Sequence, residues 1–326
     1  MKDLNVGIIG YGYIAKIHMG VMKRFPNIKI SSVFSRTKKK IRGFKNVPFY
    51  TDIKQMLNNE QLDTVFITTP THTHKEIACE CAERGLNIFL EKPMARFVEE
   101  CDSIIKSVEE NNVKLFVAQS LRFWLTYGSV RNYVMSKASK IGKVQFISSK
   151  RLGSFPWSEW FADQHKSGGV ILDLSIHDID FILWILGKPE SVSCKAKVIN
   201  RYKKDLFGES LTTLNYNDNI AGECEASWAK PTDFIFYTHT LVKGEKGAIN
   251  FDGGKIYDKD KLGINTIYNS ENGYINQMEH FIDAMSNNKK NFIVSPYEAK
   301  EDVKVCLAAI KSAKNGGEVV YLDDFE

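Results

Sequence analysis

The sequence predicts an α/β protein with two domains, a doubly wound parallel sheet followed by an α+β domain with a mostly antiparallel sheet. The chain has 326 residues, a length that is typical of about two domains. Over the first 120 residues short apolar runs alternate with helical patterns, whereas further along strand follows strand with glycine and asparagine turns. We therefore expect domains at 1–120 and 121–326.

The first domain alternates between strand and helix, which is typical of parallel βαβ units. Strands are predicted at Asn5–Ile9, Ile28–Phe34, Thr64–Thr69, Asn87–Leu90 and Leu115–Ala118. Helices are predicted at Ile14–Lys23, Thr51–Asn58 and Thr73–Arg84, with a fourth that starts at Pro93, because proline suits a first helical turn, and runs to about Asn111.

The second domain begins with a helix, a strand and a strongly apolar helix, predicted at Tyr127–Ser136, Val144–Lys150 and Val170–Leu186. Further strands are predicted at Ser191–Val198, Ser210–Tyr216, Ile220–Trp228, Ile235–Val242 and Ala248–Phe251. Two late helices, Ile275–Ser286 and Pro296–Lys314, are expected to complete it.

The composition is that of an ordinary globular protein, with 43% hydrophobic and 25% charged residues. The net charge of +5 is modest, and the one dense basic cluster, 36–42, lacks the broad stripe with exposed aromatics of a nucleic-acid surface. The six cysteines form no CxxC pair, which favours reduced thiols in a cytoplasmic protein. The amino-terminal segment resembles no leader peptide, and charges within Val170–Gly187 argue against a membrane span.

A glycine-rich turn between the first strand and the first helix predicts a dinucleotide site. Gly10 permits a tight turn, Gly12 lets the backbone approach a pyrophosphate, and Ala15 allows the helix to pack closely on the strand. The helix that opens at Tyr13 and Ile14 then offers free N–H groups to the phosphates.

The end of the second predicted strand indicates which dinucleotide is bound. An acidic residue there would bind the ribose of NAD, but the chain has Ser35, Arg36 and Thr37, and no carboxylate between Lys29 and Val47. A guanidinium can clamp a 2′-phosphate through two hydrogen bonds. The pattern therefore favours NADP. The alternative is a basic loop that does not discriminate between the two cofactors, so that NAD is accepted as well.

The chain resembles the glucose–fructose oxidoreductase and inositol dehydrogenase (Gfo/Idh/MocA) family over nearly its whole length. The resemblance depends on Gly10–Ala15 followed by His18, on Pro70–His74, on Glu91-Lys92-Pro93, and on Gly168-Gly169 leading to Asp173, His177 and Asp180. It implies an N-terminal Rossmann domain, a C-terminal sheet with one open face, and hydride transfer between a nicotinamide and a hydroxyl or keto carbon of a carbohydrate-like substrate. Because sheets normally hide apolar faces, we expect a homodimer or homotetramer formed through that face.

Three residues are the candidates for catalysis. Lys92 follows a parallel strand, where ligands of such sheets bind, and its ammonium can stabilise developing alkoxide charge. Asp173 and His177 are spaced i, i+4 and share one helical face with Asp180 and Trp184. Imidazole exchanges protons near neutral pH, so His177 is the expected acid/base, with Asp173 orienting substrate or Lys92.

Less specific interpretations remain open for these residues. Lys92 is equally compatible with a solvated surface lysine, Asp173 and Asp180 with an exposed helix edge, and Asp173 with His177 as a metal pair, although the resemblance implies no metal. The resemblance adds Thr69, Pro70, His74 and Glu91 to the cofactor site, while Arg122 and Trp160 are candidate substrate contacts. Alternative functions on the same fold are a regulatory nucleotide-binding protein without catalysis and an NAD-dependent glycosidase.

Overall fold

A computed structural model describes residues 3–44, 46–257, 259–263, 272–287 and 292–325. The chain divides into two compact units. The first contains Met1–Ala95, Glu99–Ala118 and Tyr274–Ala299, and the second contains Arg96–Val98, Gln119–Gly273 and Lys300–Glu326. The chain passes from the first unit to the second after Ala118, close to the predicted boundary at 120. A single boundary does not account for Tyr274–Ala299, which returns to the first unit.

The strands and helices agree with most of the predicted elements. The strands are β1 (Leu4–Ile9), β2 (Ile28–Phe34), β3 (Phe49–Tyr50), β4 (Thr64–Ile67), β5 (Asn87–Glu91), β6 (Leu115–Ala118), β7 (Val144–Ser154), β8 (Ser191–Arg201), β9 (Lys204–Asn215), β10 (Ala221–Lys230), β11 (Tyr237–Gly244), β12 (Ala248–Phe251) and β13 (Val320–Tyr321). The helices are α1 (Tyr13–Met22), α2 (Ile53–Asn59), α3 (His74–Glu83), α4 (Val98–Glu110), α5 (Leu125–Val134), α6 (Gln164–Ser167), α7 (Ile176–Leu186), α8 (Lys259–Leu262), α9 (Gly273–Ser286) and α10 (Pro296–Lys314). The two-residue edge strands β3 and β13 were not predicted, because two residues show no periodicity.

The first unit contains a six-stranded sheet in the order β3-β2-β1-β4-β5-β6. Every neighbouring pair in it is parallel. All residues of β4 and β6 are buried, as expected for strands of a parallel sheet that is covered on both faces. The carboxyl ends of β1, β4 and β5 therefore lie at one edge, where ligands of such sheets bind.

Aromatic packing explains why α9 belongs to the first unit. Phe66 stacks on Phe89 with ring centroids 4.2 Å apart, and Phe89 stacks on Phe116 at 4.8 Å. Phe281 of α9 meets all three rings edge-on at 5.3–5.8 Å. Edge-to-face contacts of this kind stabilise beyond simple burial, so α9 covers β4, β5 and β6 although it is distant in sequence.

The prediction that a helix starts at Pro93 is wrong. Residues Met94 and Ala95 form a fully buried loop, and α4 begins at Val98. The carbonyl oxygen of Pro93 lies 2.9 Å from Nδ1 of His74. In a helix that starts at Pro93, this carbonyl would accept from a backbone amide four residues later. Here it contacts the imidazole of His74 instead, and the chain continues as a loop until α4 starts.

The second unit contains a seven-stranded sheet in the order β12-β11-β7-β10-β9-β8-β13. Only β7 and β10 pair in parallel among the described strand pairs, and the remainder are antiparallel. On one face α7 packs against β7 and β10. On the other face, alternate residues of β9 such as Phe207, Glu209 and Leu211 stay half-buried or exposed. The predicted fold class is thus confirmed.

Candidate active site

The glycine turn after β1 has the geometry of a phosphate-binding turn. Gly10 has φ +99°, and a Cβ atom there would lie 2.8 Å from the backbone carbonyl of Thr68, so only glycine fits. Apart from Gly12 itself and its two chain neighbours, no described atom lies within 4 Å of the position that a Cβ would take at Gly12. Ala15 is fully buried in the first turn of α1. The open space above Gly12 and its position at the N-terminus of α1 fit the pyrophosphate of a dinucleotide.

The basic segment after β2 lies beside this turn. Ser35 is half-buried, and Arg36 and Thr37 are exposed. The amide of Arg42 donates to the hydroxyl of Tyr11 at 3.4 Å, and Tyr11 is itself buried within the glycine turn. The segment is therefore held next to the turn while its cationic side chains point to solvent.

The loop after β4 is tied to the loop after β5 by one imidazole. His74 is buried, with Nε2 2.9 Å from the carbonyl oxygen of Thr69 and Nδ1 2.9 Å from that of Pro93. Burial lowers the pKa of His74, although the contacts with Thr69 and Pro93 oppose this. Thr73 adds a 2.7 Å hydrogen bond to the carbonyl of Pro70. His74 thus joins the two loops, and its predicted contact with the cofactor stays a prediction.

Glu91, the residue directly before Lys92, forms a buried pair with His18. His18 Nε2 on α1 is 2.6 Å from Oε1 of Glu91, and Oε2 of Glu91 accepts the amide of Lys92 at 3.2 Å. His18 is also surrounded edge-on by the rings of Phe66, Phe89 and Tyr274. The carboxylate of Glu91 therefore holds the backbone of Lys92. Sequence reasoning included His18 in the resemblance but did not predict its partner, since the two residues are 73 positions apart.

Asp173 and His177 lie in the second unit, at the start of the apolar helix. Gly168 and Gly169 both have positive φ, at +76° and +67°, and lead into a π-helical turn, Ile171–Ser175, before α7 begins. Asp173 lies in this turn and His177 in the first turn of α7, and both are half-buried while most residues between them are buried. A π-turn is often found at functional sites, and it replaces the single regular helix that was predicted.

Two further aspartates of α7 are ion-paired inside the second unit. Asp180 accepts from Nε and Nη2 of Arg122 at 2.9 and 2.7 Å, and Asp178 accepts from Arg151 through two bonds of 2.9 Å. All four side chains are buried. The interpretation of Asp180 as part of an exposed helix edge is therefore wrong. The pairing places the guanidinium of Arg122 inside the fold, and its predicted substrate contact remains untested.

Trp160 lies in a short 3₁₀ turn, Glu159–Ala162, before the two glycines. Its ring is half-exposed and packs on Phe161 with centroids 4.0 Å apart. Phe161 in turn meets Trp228 of β10 edge-on at 5.8 Å. One face of Trp160 is therefore occupied by packing, which leaves its predicted contact with substrate untested.

Metal-binding clusters and membrane-spanning helices are both absent from the described ranges. No group of three His, Cys, Asp or Glu residues there is arranged to hold a metal ion. None of the helices in those ranges combines the length and the apolar character needed to cross a membrane.

Comparison with known proteins identifies the family. A family model described as an oxidoreductase family with an NAD-binding Rossmann fold matches residues 4–119, and the model of the GFO/IDH/MocA C-terminal domain matches residues 134–250. The chain belongs to the GFO/IDH/MocA family. The resemblance expected from the motifs is thus confirmed, together with the predicted class of NAD(P)-dependent oxidoreductase.

Relatives in this family act on sugars and polyols. The chain is 29% identical over 283 residues to scyllo-inositol 2-dehydrogenase (NAD(+)) of Bacillus subtilis, covering 81% of this chain and 79% of that protein. It is 24% identical, over 98% of this chain and 80% of that protein, to levoglucosan dehydrogenase of Pseudarthrobacter phenanthrenivorans. The solved structure of a levoglucosan dehydrogenase with NADH and levoglucosan superposes with a TM-score of 0.84 at 20% identity, over 98% of this chain and all of that one.

Proposed function

We propose that the protein is an NADP-preferring dehydrogenase that transfers hydride between the nicotinamide and a CH–OH carbon of a sugar, polyol or related carbohydrate. The observation that carries the proposal is the combination of a phosphate-binding glycine turn with a half-buried lysine, Lys92, whose backbone is held by Glu91 at the end of β5. In an open parallel sheet this edge is where the cofactor binds. The bound nicotinamide supplies the hydride chemistry, and the chain supplies binding, orientation and proton transfer.

The proposed roles follow from the chemistry of each side chain. Lys92 donates a hydrogen bond to the reacting oxygen and stabilises its developing negative charge. His177 exchanges the proton of the substrate hydroxyl, since imidazole titrates near neutral pH. Asp173 orients the substrate or Lys92. Arg122 and Trp160 are retained as candidate substrate contacts.

The proposed cofactor contacts are distributed over the carboxyl edge of the first sheet. They are Gly10, Gly12, Tyr13, Ile14, Ala15, Ser35, Arg36, Thr69, Pro70, His74, Glu91 and Lys92. The preference for NADP is supported by the exposed guanidinium of Arg36 and by the absence of any carboxylate between Lys29 and Val47. Arginine suits the bidentate recognition of a phosphate.

We further propose a cytoplasmic homo-oligomer, a dimer or a tetramer. The uncovered face of the second sheet carries apolar side chains such as Leu211 and Val198, 42% and 59% exposed, beside charged pairs such as Lys150–Glu225. A second copy placed face to face would bury these apolar side chains, and the charges between them would remain compensated within their ion pairs.

The proposal is tested by turnover with NADPH and NADH on a panel of inositols, hexoses and anhydrosugars. Lys92→Ala and His177→Ala are each expected to lower kcat by about a hundredfold or more, because proton transfer and oxyanion stabilisation typically contribute that much. Lys106→Ala, which removes an exposed lysine of α4, is the matched control and should leave kcat unchanged.

Three other outcomes of this experiment would point to a different function or to different catalytic residues. Tight NADPH binding without turnover on any panel member would favour the regulatory alternative. Cleavage of a glycoside without net change in cofactor would favour the glycosidase. Unchanged activity in Lys92→Ala and His177→Ala would contradict the proposed catalytic roles.

A further inference from the structure

Four residues of the second unit form a buried cluster, which we call the carboxyl cluster: Gln119, Arg122, Asp180 and Asp302. Gln119 and Arg122 come directly after β6, Asp180 lies on α7, and Asp302 lies on α10. Asp180 and Asp302 are each 0% exposed. Nε2 of Gln119 donates to Oδ2 of Asp302 at 2.8 Å, while Arg122 donates twice to Oδ1 of Asp180.

The cluster contains two carboxyl groups facing a single guanidinium. Two charge-assisted hydrogen bonds join Arg122 to Asp180, which identifies Asp180 as the ionised member. Arg131 of α5 lies beyond the ring of Trp184, whose centroid is 5.3 Å from the Arg122 guanidinium and 4.9 Å from that of Arg131. A second buried carboxylate without a cation of its own would be strongly disfavoured.

The hydrogen bonds of Asp302 lead to the same conclusion. Its carboxyl group accepts from the neutral amide of Gln119, and among the described residues no donor meets its buried Oδ1 atom, so a negative charge on Asp302 would be poorly compensated. Burial and the neighbouring charge of Asp180 raise the pKa of Asp302 well above its usual value, against the opposing effect of Arg122. The hydrogen bonds and the electrostatics together favour a protonated Asp302 and an ionised Asp180.

We propose that Asp302 is a neutral carboxylic acid that donates a hydrogen bond to Asp180 and acts as a positioning residue for His177. Asp180 follows His177 by three residues on α7, so the two share one helical face. The cluster links α7 to α10 and to the 3₁₀ turn Ser120–Phe123. The role toward His177 rests on the proposed function, whereas the protonation state of Asp302 does not.

The protonation state is tested by the pH dependence of thermal stability. The pKa of Asp302 is raised on folding, so between its ordinary value of about 3.9 and its folded value the native state binds more protons than the unfolded state. Stability of the wild type therefore falls as pH rises through this window. Asp302→Asn removes the titration but keeps a donor toward Asp180.

We therefore expect the Tm of Asp302→Asn minus the Tm of the wild type to increase as pH rises above about 5, by about 3 °C per pH unit for as long as Asp302 stays protonated in the native state. Asp233→Asn, at an exposed aspartate between β10 and β11, is the matched control and should show a constant difference. A constant or decreasing difference for Asp302→Asn would mean that Asp302 is ionised and would overturn the proposal.

The positioning role is tested by kcat with two substitutions. Asp302→Asn should keep kcat within about threefold, because the amide still donates to Asp180. Asp302→Ala should lower kcat by about tenfold or more with KM for NADPH unchanged, as expected when a catalytic group is displaced. Equal loss in both variants, or no loss in either, would overturn the positioning role.

Failure of the proposed function would give a different result. In that case the wild type would show no turnover, or His177→Ala would turn over as fast as the wild type, while the Tm series would still decide whether Asp302 carries the proton.

Discussion

At the residue scale, the proposed preference for NADP is based on the three residues directly after β2. In a dinucleotide-binding unit an acidic residue at this position hydrogen-bonds the ribose hydroxyls of NAD. Here Ser35, Arg36 and Thr37 occupy it, and the guanidinium of Arg36 is exposed beside the glycine turn. A 2′-phosphate would gain a charge-assisted hydrogen bond from this guanidinium, whereas NAD would not.

Arg36→Ala is therefore expected to reduce the preference for NADPH. Loss of a hydrogen bond to a charged group costs about 2 kcal/mol, which corresponds to about a thirtyfold fall in the ratio of kcat/KM for NADPH to kcat/KM for NADH. Arg24→Ala removes an exposed arginine after the carboxyl end of α1 and serves as the control of equal charge. A preference for NADH in the wild type, with an unchanged ratio in Arg36→Ala, would contradict the assignment.

At the element scale, α7 is an apolar helix attached to its surroundings by two buried arginines. Arg122 bonds to Asp180 on one side, and Arg151 of β7 bonds to Asp178 on the other. Burial opposes ionisation of Arg151, but Asp178 and Tyr127 outweigh it and keep its pKa above the usual value. Because the two pairs set the register of α7, they also determine where Asp173 and His177 lie within the second unit.

Breaking the Arg151–Asp178 pair is expected to be strongly destabilising. Asp178→Asn leaves a buried guanidinium without its anion, which typically costs about 3–5 kcal/mol and should lower Tm markedly in thermal unfolding. The control is the partly exposed pair between Glu225 of β10 and Lys150, which precedes Arg151 on β7. Glu225→Gln breaks this pair and should cost at most about 1 kcal/mol. Equal effects of the two substitutions would contradict the structural role assigned to the buried pair.

At the scale of the whole molecule, the uncovered face of the second sheet is the surface most suited to association. Its strands alternate between residues packed under α7 and residues that face solvent, and the outward set includes Phe207 and Leu211 of β9. Antiparallel sheets tolerate one solvated face. The apolar side chains on this face nevertheless favour burial against a second copy.

Light scattering at micromolar concentration is expected to give a multiple of the chain mass of 37.1 kDa. Leu211→Lys should shift the protein toward monomer, because a charged side chain in place of an apolar one would have to be desolvated when two copies associate. Met135→Lys, at an exposed apolar residue after α5, should leave the mass unchanged. A monomeric wild type would contradict the predicted homo-oligomer.

The features that were predicted from the sequence are those whose residues are contiguous. Gly10, Gly12 and Ala15 lie within a single turn, so the backbone requirements of a phosphate-binding site can be read directly from their order. The same holds for the alternation of strand and helix in the first unit, which follows from hydrophobic periodicity. Lys92 was placed at the correct edge of the sheet because parallel strands share one direction.

The features that only the tertiary structure decided join residues that are far apart in the chain. Glu91 meets His18 across 73 positions and Gln119 meets Asp302 across 183 positions, and no local pattern records such pairings. Arg122 and Asp180 look like surface or substrate residues until burial shows that each neutralises the other. Periodicity determines which residues are buried, but the partner of a buried charge depends on how distant elements pack, because only that packing removes water from both groups at once.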